Sequence, residues 1–259
     1  MREYAERAVA GGGQPRVPDT PERSRLERER SIREVIFGAQ DGALTTLGIV
    51  TGVGAADPER LTIVLTGAVA LLAGALSMGV GEYLGGKSER EVVKNAIALE
   101  KQEMADKPQE EFAEQVAYYR LKGFTADEAT MIVKRLATNP EVWLHEMMRD
   151  EFGIDPRIAD DRSLRAPLVM AGSFTVGGLS PLVPYFFPLA HLTALWAGVG
   201  LAAAALFTIG ALAGRLSARN PLVKGAELVG FGTLIFAASY LAGQWLPALF
   251  GHPPVSAGG

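Results

Sequence analysis

The chain has 259 residues, 48% of them apolar, and a mean hydropathy of +0.16 although 21% are charged, so charge is segregated from apolar sequence in the manner of a membrane protein. It contains no cysteine, which excludes disulfides, thiolate metal sites, iron-sulfur clusters and a cysteine nucleophile. A net charge of -4 and a pI near 5.5 speak against nucleic-acid binding, which needs a surplus of Lys and Arg on some surface.

Residues 1–30, with GGGQPRVPDTPERS, read as a flexible segment. The run RSRLERERSIRE precedes the first apolar stretch, and no small-residue cleavage site follows a short one, so that stretch is not a cleavable signal peptide. A hydrocarbon core about 30 Å thick takes roughly 20 helical residues, and five stretches meet that length: 35–56, 61–84, 166–188, 190–214 and 225–250. Their only charged side chains are Asp41, Glu82 and Glu227, the last two close to a segment end. Gly38 and Gly42, then Gly48 and Gly52, are small residues four apart in the first span, a spacing that lets it pack closely on another helix or on its symmetry mate.

Basic residues favour the cytosolic side of short loops. Residues 1–34 hold 8 of them, 85–165 hold 13, 215–224 hold 3, the turn 57–60 holds Arg60 alone, and the remaining connections hold none. The N-terminus and the insert 85–165 are therefore expected inside, and the tail 251–259 outside. The insert carries 17 acidic residues against its 13 basic ones, and its apolar period is helical throughout. Thr125 and Glu128 form a capping-box pattern, Asn139-Pro140 reads as a cap and first turn, and Gly123 and Gly153 are natural helix ends. The expected fold is an all-α integral membrane protein: five transmembrane helices, with a cytoplasmic domain of three or four helices inserted between helices 2 and 3. Its parts are 1–30, spans at 31–84, the insert 85–165, spans at 166–250 and the tail 251–259. The first helix of the insert continues directly out of the second span.

Within the insert, Glu100 and Glu103 are three apart, as are Glu111 and Glu114, while Met147, Met148 and Glu151 share one turn. If those faces converge they make an anionic site for a divalent cation, which the thioethers bias toward softer ions such as Fe(II); His145 is a possible further ligand. The competing reading is that the glutamates solvate a helix face and the methionines fill a core. Asp41 is costly inside a span and marks an ion or proton site, the alternative being a packed, protonated acid. Met78 and Glu82 lie four apart on one face of the second span. No P-loop, nucleophile elbow, dinucleotide fingerprint or HExxH pattern occurs, and His145, His191 and His252 are scattered, so no enzyme is expected.

Three stretches carry a family resemblance: REVIFGAQDGALTTLGIVTGV in the first span, SMGVGEYLGGKSERE at the end of the second, and the glutamate pattern of the insert ending in MMRDEFG. With the order of spans from about 31 to 250, they make the chain similar to the vacuolar iron transporters. The resemblance implies a homodimer, joined through transmembrane helices 1 and 2, that exchanges cytosolic Fe(II), or Mn(II) in some relatives, for protons, with no prosthetic group. It implies a path lined by Asp41 and Met78, and a cytoplasmic metal-binding set of Glu100, Glu103, Glu111, Glu114, Met147, Met148 and Glu151. A further carboxylate expected in the middle of the second span is absent from TGAVALLAGALS; Glu34 and Glu82, acidic and close to the membrane, are the accessory candidates. The rival readings are a membrane-anchored metal sensor or buffer, and a cation channel with a regulatory helical domain. With no organelle-targeting segment evident, a bacterial cell membrane is the expected location.

Overall fold

The computed structural model describes residues 21–160 and 163–250, and among them every regular element is helical. The order is α1 (Pro21–Ala56), α2 (Arg60–Asp106), α3 (Pro108–Leu121), α4 (Ala126–Leu136), α5 (Pro140–Glu151), a 3-10 turn (Pro156–Asp160), α6 (Arg165–Leu182), a second 3-10 turn (Val183–Phe186), α7 (His191–Leu216) and α8 (Pro221–Leu249). Residues 1–20 and the tail 251–259, both expected to be flexible, lie outside the described residues. Helix α1 begins at Pro21, inside the segment 1–30 expected to be flexible. Arg and Glu, which dominate that stretch, are good helix formers and extend α1 backward from its apolar half.

The chain falls into two compact units, one of residues 1–78 with 168–259 and the other of residues 79–167, and the division lies within α2. In the first unit, four helices are long and apolar enough to cross a membrane: α2, α6 with its following 3-10 turn, α7 and α8. Helix α1 is not among them, because Gln40, Asp41, Thr45, Thr46 and Thr51 dilute its apolar half. Along α2, Leu65, Val69, Leu72 and Leu76 are all more than half exposed, an apolar face suited to hydrocarbon rather than water.

Glycines set how closely the helices of this unit approach. A methyl on Gly42 would run into the Phe174 carbonyl of α6, and one on Gly177 into the Ala39 carbonyl of α1. Gly48 and Gly52 face Ile235 and Ser239 of α8. The small-residue stripes of α1 thus pack against helices of the same chain. Between these contacts lie apolar clusters of Val50, Ile63, Leu182, Tyr185 and Ala194, of Ala43, Leu206 and Leu228, and of Leu71, Ala75 and Phe174.

The second unit is built from the charged end of α2, residues 79–106, with α3, α4 and α5. Its helix ends follow the sequence signals. The Thr125 amide donates to Glu128 Oε2 at 2.9 Å and the Glu128 amide donates back to Thr125 Oγ1 at 3.4 Å. Asn139 Oδ1 accepts from the amides of Glu141 and Val142 at 3.2 and 3.4 Å, and Pro140 opens α5 where no amide is needed. Gly123 and Gly153 end α3 and α5 with φ of +100° and +64°, angles that side chains rarely adopt.

Candidate functional site

Two places bear chemistry, one in each unit. In the second unit, α2 supplies Glu100 and Glu103, α3 supplies Glu111 and Glu114, and α5 supplies Met147, Met148 and Glu151. Glu100 is 1% exposed, and its Oε1 has no hydrogen-bond partner. Burial first, then the negative charges of Glu151, Glu111, Glu103 and Glu114, push its carboxyl up to about 7. Glu111 is raised by burial, then by Glu114, Glu103 and Glu110, with Lys107 opposing. Glu151, though exposed, is raised by residual desolvation and then by Glu114, Glu111 and Glu103. The five carboxylates therefore share one electrostatic neighbourhood, fed by three helices.

The methionines sit deeper, Met147 at 2% and Met148 at 0% exposure, where they also fill the core of the unit. His145 is exposed and belongs to no such group. Among the described residues, no three carboxylate or imidazole groups stand close enough together to hold a metal ion as they are placed. Glu103, Glu114 and Glu151 keep part of their surface in solvent.

Two residues beyond the sequence candidates share this neighbourhood. Tyr118 has its hydroxyl raised by burial and then by Glu114, Glu151, Asp150 and Glu100. Gln115 is fully buried, and its Nε2 donates to Asp150 Oδ2 at 2.7 Å. The available signal was the spacing of Glu111, Gln115 and Tyr118, four and three apart on one face of α3.

In the first unit, Asp41 lines a pocket of about 920 Å³ between α1, α2 and α8. Thr45, Gly48, Gly52 and Ala56 continue the α1 wall; Thr66 and Ala70 come from α2, and Ser239 and Gly243 from α8. Asp41 is the one acidic residue in that lining, and the hydroxyl of Thr45 lies 3.4 Å from its Oδ1 as donor. Met78 is not part of the lining; it packs with Leu71, Ala75 and Phe174, eight residues and about 12 Å beyond Ala70 on α2. Glu34 is half-buried two turns before Asp41 on the same face of α1. Glu82 is half-buried in the other unit.

Residues 32–244 match the model of the VIT family. The chain belongs to the VIT family. It is similar to vacuolar iron transporter 1 of Oryza sativa subsp. japonica, at 32% identity over 90% of this chain and 95% of the relative. It is also similar to vacuolar iron transporter 1 of Arabidopsis thaliana, at 30% over 81% and 83%, and to Protein CCC1 of Saccharomyces cerevisiae, at 29% over 82% and 67%. This VIT-family chain is thus a multi-pass membrane protein of a transporter family and not an enzyme.

Proposed function

We propose that this chain carries Fe(II), and Mn(II) as a related ion, out of the cytosol in exchange for protons. The observation that carries the proposal is Asp41, a lone acidic side chain on the wall of a 920 Å³ pocket whose lining is otherwise uncharged, within the spanning unit. A carboxylate so placed holds either a cation or a proton, and one group that cannot hold both at once is the minimal exchanger. In this reading α1 is a fifth span through its stretch 35–56, its polar face turned to the pocket. The N-terminus and the unit of residues 79–167 are cytosolic, and the C-terminal end is on the far side. The names of the similar relatives support iron as the cargo.

Glu100, Glu103, Glu111, Glu114 and Glu151 with Met147 and Met148 capture the ion on the cytosolic side. Binding draws the exposed carboxylates toward buried Glu100 and displaces its proton. The thioethers favour Fe(II) over Mg(II). Met78 extends the path beyond Asp41, and Glu34 and Glu82 are accessory acids close to the membrane. Two copies pair through α1 and α2; the exposed leucine and valine face of α2 supports that pairing.

The test is anaerobic Fe(II) uptake by proteoliposomes under an imposed pH gradient. Wild-type uptake should follow the gradient and Asp41→Ala should abolish it, while Glu100→Gln with Glu103→Gln should raise the Fe(II) concentration needed for half-maximal flux. Uptake by Asp41→Ala at the wild-type rate would falsify the exchange mechanism. Fe(II) binding without flux under any gradient would make the protein a tethered sensor or buffer, and flux indifferent to the gradient would make it a channel.

A further inference from the structure

Among the described residues of the unit 79–167, two side-chain oxygens are buried without a donor: Glu100 Oε1 and Gln115 Oε1. The first belongs to the carboxylate cluster already described. The second has a chemically fixed orientation. The side chain of Asp150 is 6% exposed and Lys122 Nζ donates to both of its oxygens at 2.5 and 2.6 Å, so those oxygens act as acceptors and only the nitrogen of the Gln115 amide can face them. The carbonyl oxygen must turn away, into space where it finds no N–H or O–H. A buried acceptor left that way is destabilising, and native interiors rarely keep one without a partner.

Gln115 stands on the helix that carries two of the cluster's carboxylates, and its partner Asp150 directly precedes a third, Glu151. Glu111 lies one turn before Gln115 on the same face of α3 and Glu114 directly precedes it. Tyr118, one turn after it, feels Glu114, Glu151, Asp150 and Glu100. What the neighbourhood has in surplus is acceptors, and what satisfies several acceptors at once is a cation.

We propose that Gln115 is a further residue of the carboxylate and methionine site: its carbonyl gives a neutral oxygen to the bound divalent cation, directly or through one water, and Asp150 and Lys122 are positioning residues that hold it so. This rests on the reading of that cluster as a metal site. A neutral oxygen suits the place, because it raises the ligand count without adding charge to five carboxylates that already repel one another. Lys122 Nζ also lies 4.3 Å from the centroid of the Tyr119 ring, a second contact that fixes the ammonium beside Asp150.

The experiment uses the full chain in detergent without oxygen, with Co(II) as a spectroscopic probe and Fe(II) for affinity. Gln115→Leu removes the oxygen; Asp150→Asn keeps the volume and lets the amide turn round. Each should weaken binding about tenfold, the size of effect seen when a supporting partner of a metal site is lost, and each should change the visible bands of bound Co(II). Glu100→Gln serves as the control for the site itself. Wild-type affinity and bands in both variants, with binding lost in Glu100→Gln, would overturn the role of Gln115 and leave the metal site standing. Weaker binding with unchanged bands would make Gln115 a purely structural residue and overturn it too. Unchanged binding in Glu100→Gln as well would remove the metal site and this inference together. Should Gln115→Leu lose helical circular dichroism, the near-isosteric Asp150→Asn decides.

Discussion

Glu100 is a carboxyl that folding places among four others with almost no water, and the consequences run in a definite direction with pH. Its folded value of about 7 lies above the ordinary 4.5, so between those pH values the folded chain holds a proton that the unfolded chain has released. Stability is therefore fully present below pH 4.5 and is lost as pH rises toward 7. A shift of that size corresponds to about 3 kcal/mol. Thermal unfolding of the metal-free protein should show a midpoint that falls from pH 5 to pH 8, and Glu100→Gln should flatten that slope and raise the midpoint at pH 8. A metal ion competes with the same proton, so Fe(II) affinity should climb over the same interval. An unchanged slope in the variant would mean that Glu100 is not the group responsible.

The spacing of the glutamates was legible in the sequence; their depths were not. Glu100 and Glu114 read alike along the chain, yet one is buried and the other exposed, because depth depends on how four helices from distant positions close on one another. Gln115 was missed for the converse reason. Its meaning comes from Asp150, 35 residues away, and no local pattern announces that bond. Met78 illustrates a third case: the sequence offers a thioether on the face of a span, and only packing shows that it is half-buried against Leu71, Ala75 and Phe174.

At the scale of elements, the caps were readable because they are local chemistry. Thr125 with Glu128, Asn139 with Pro140, and Gly123 and Gly153 all end helices where their side chains or backbone angles suit. The unbroken helix from Arg60 to Asp106 was also readable, since no proline interrupts it and the charged stretch after Gly85-Gly86 keeps a helical period. The partners of the α1 glycines were not, because small residues four apart permit close approach without saying to what. That approach gives a sharp contrast. Gly42→Ala would drive a methyl into the Phe174 carbonyl, whereas a methyl on Gly172 of α6 meets open space. Backbone cannot step aside as a flexible side chain can, so Gly42→Ala should cost about 1–3 kcal/mol or more and Gly172→Ala less than about 0.5 kcal/mol. Thermal unfolding of both variants in one detergent checks this, and equal midpoints would show that α1 and α6 are not packed as described.

At the scale of the whole molecule, α1 decides how many times the chain crosses the membrane. Its apolar half is weaker than the other four candidates because it carries the polar residues that a path needs, so hydropathy and function pull against each other in the same stretch. An odd number of crossings puts the start of α1 and the turn before α2 on opposite sides; a surface-lying α1 puts them on one side. The absence of native cysteine makes the distinction clean. Arg33→Cys and Glu59→Cys, both at exposed positions, should be labelled by a membrane-impermeant maleimide from opposite faces of oriented vesicles, Arg33→Cys from the cytosolic face. Ser217→Cys, in the connection between α7 and α8, should match Arg33→Cys, because the four crossings between them, α1, α2, α6 and α7, return the chain to the side where it began. Labelling of Arg33→Cys and Glu59→Cys from the same face would remove the fifth span, and with it the claim that Asp41 sits on a route across the bilayer.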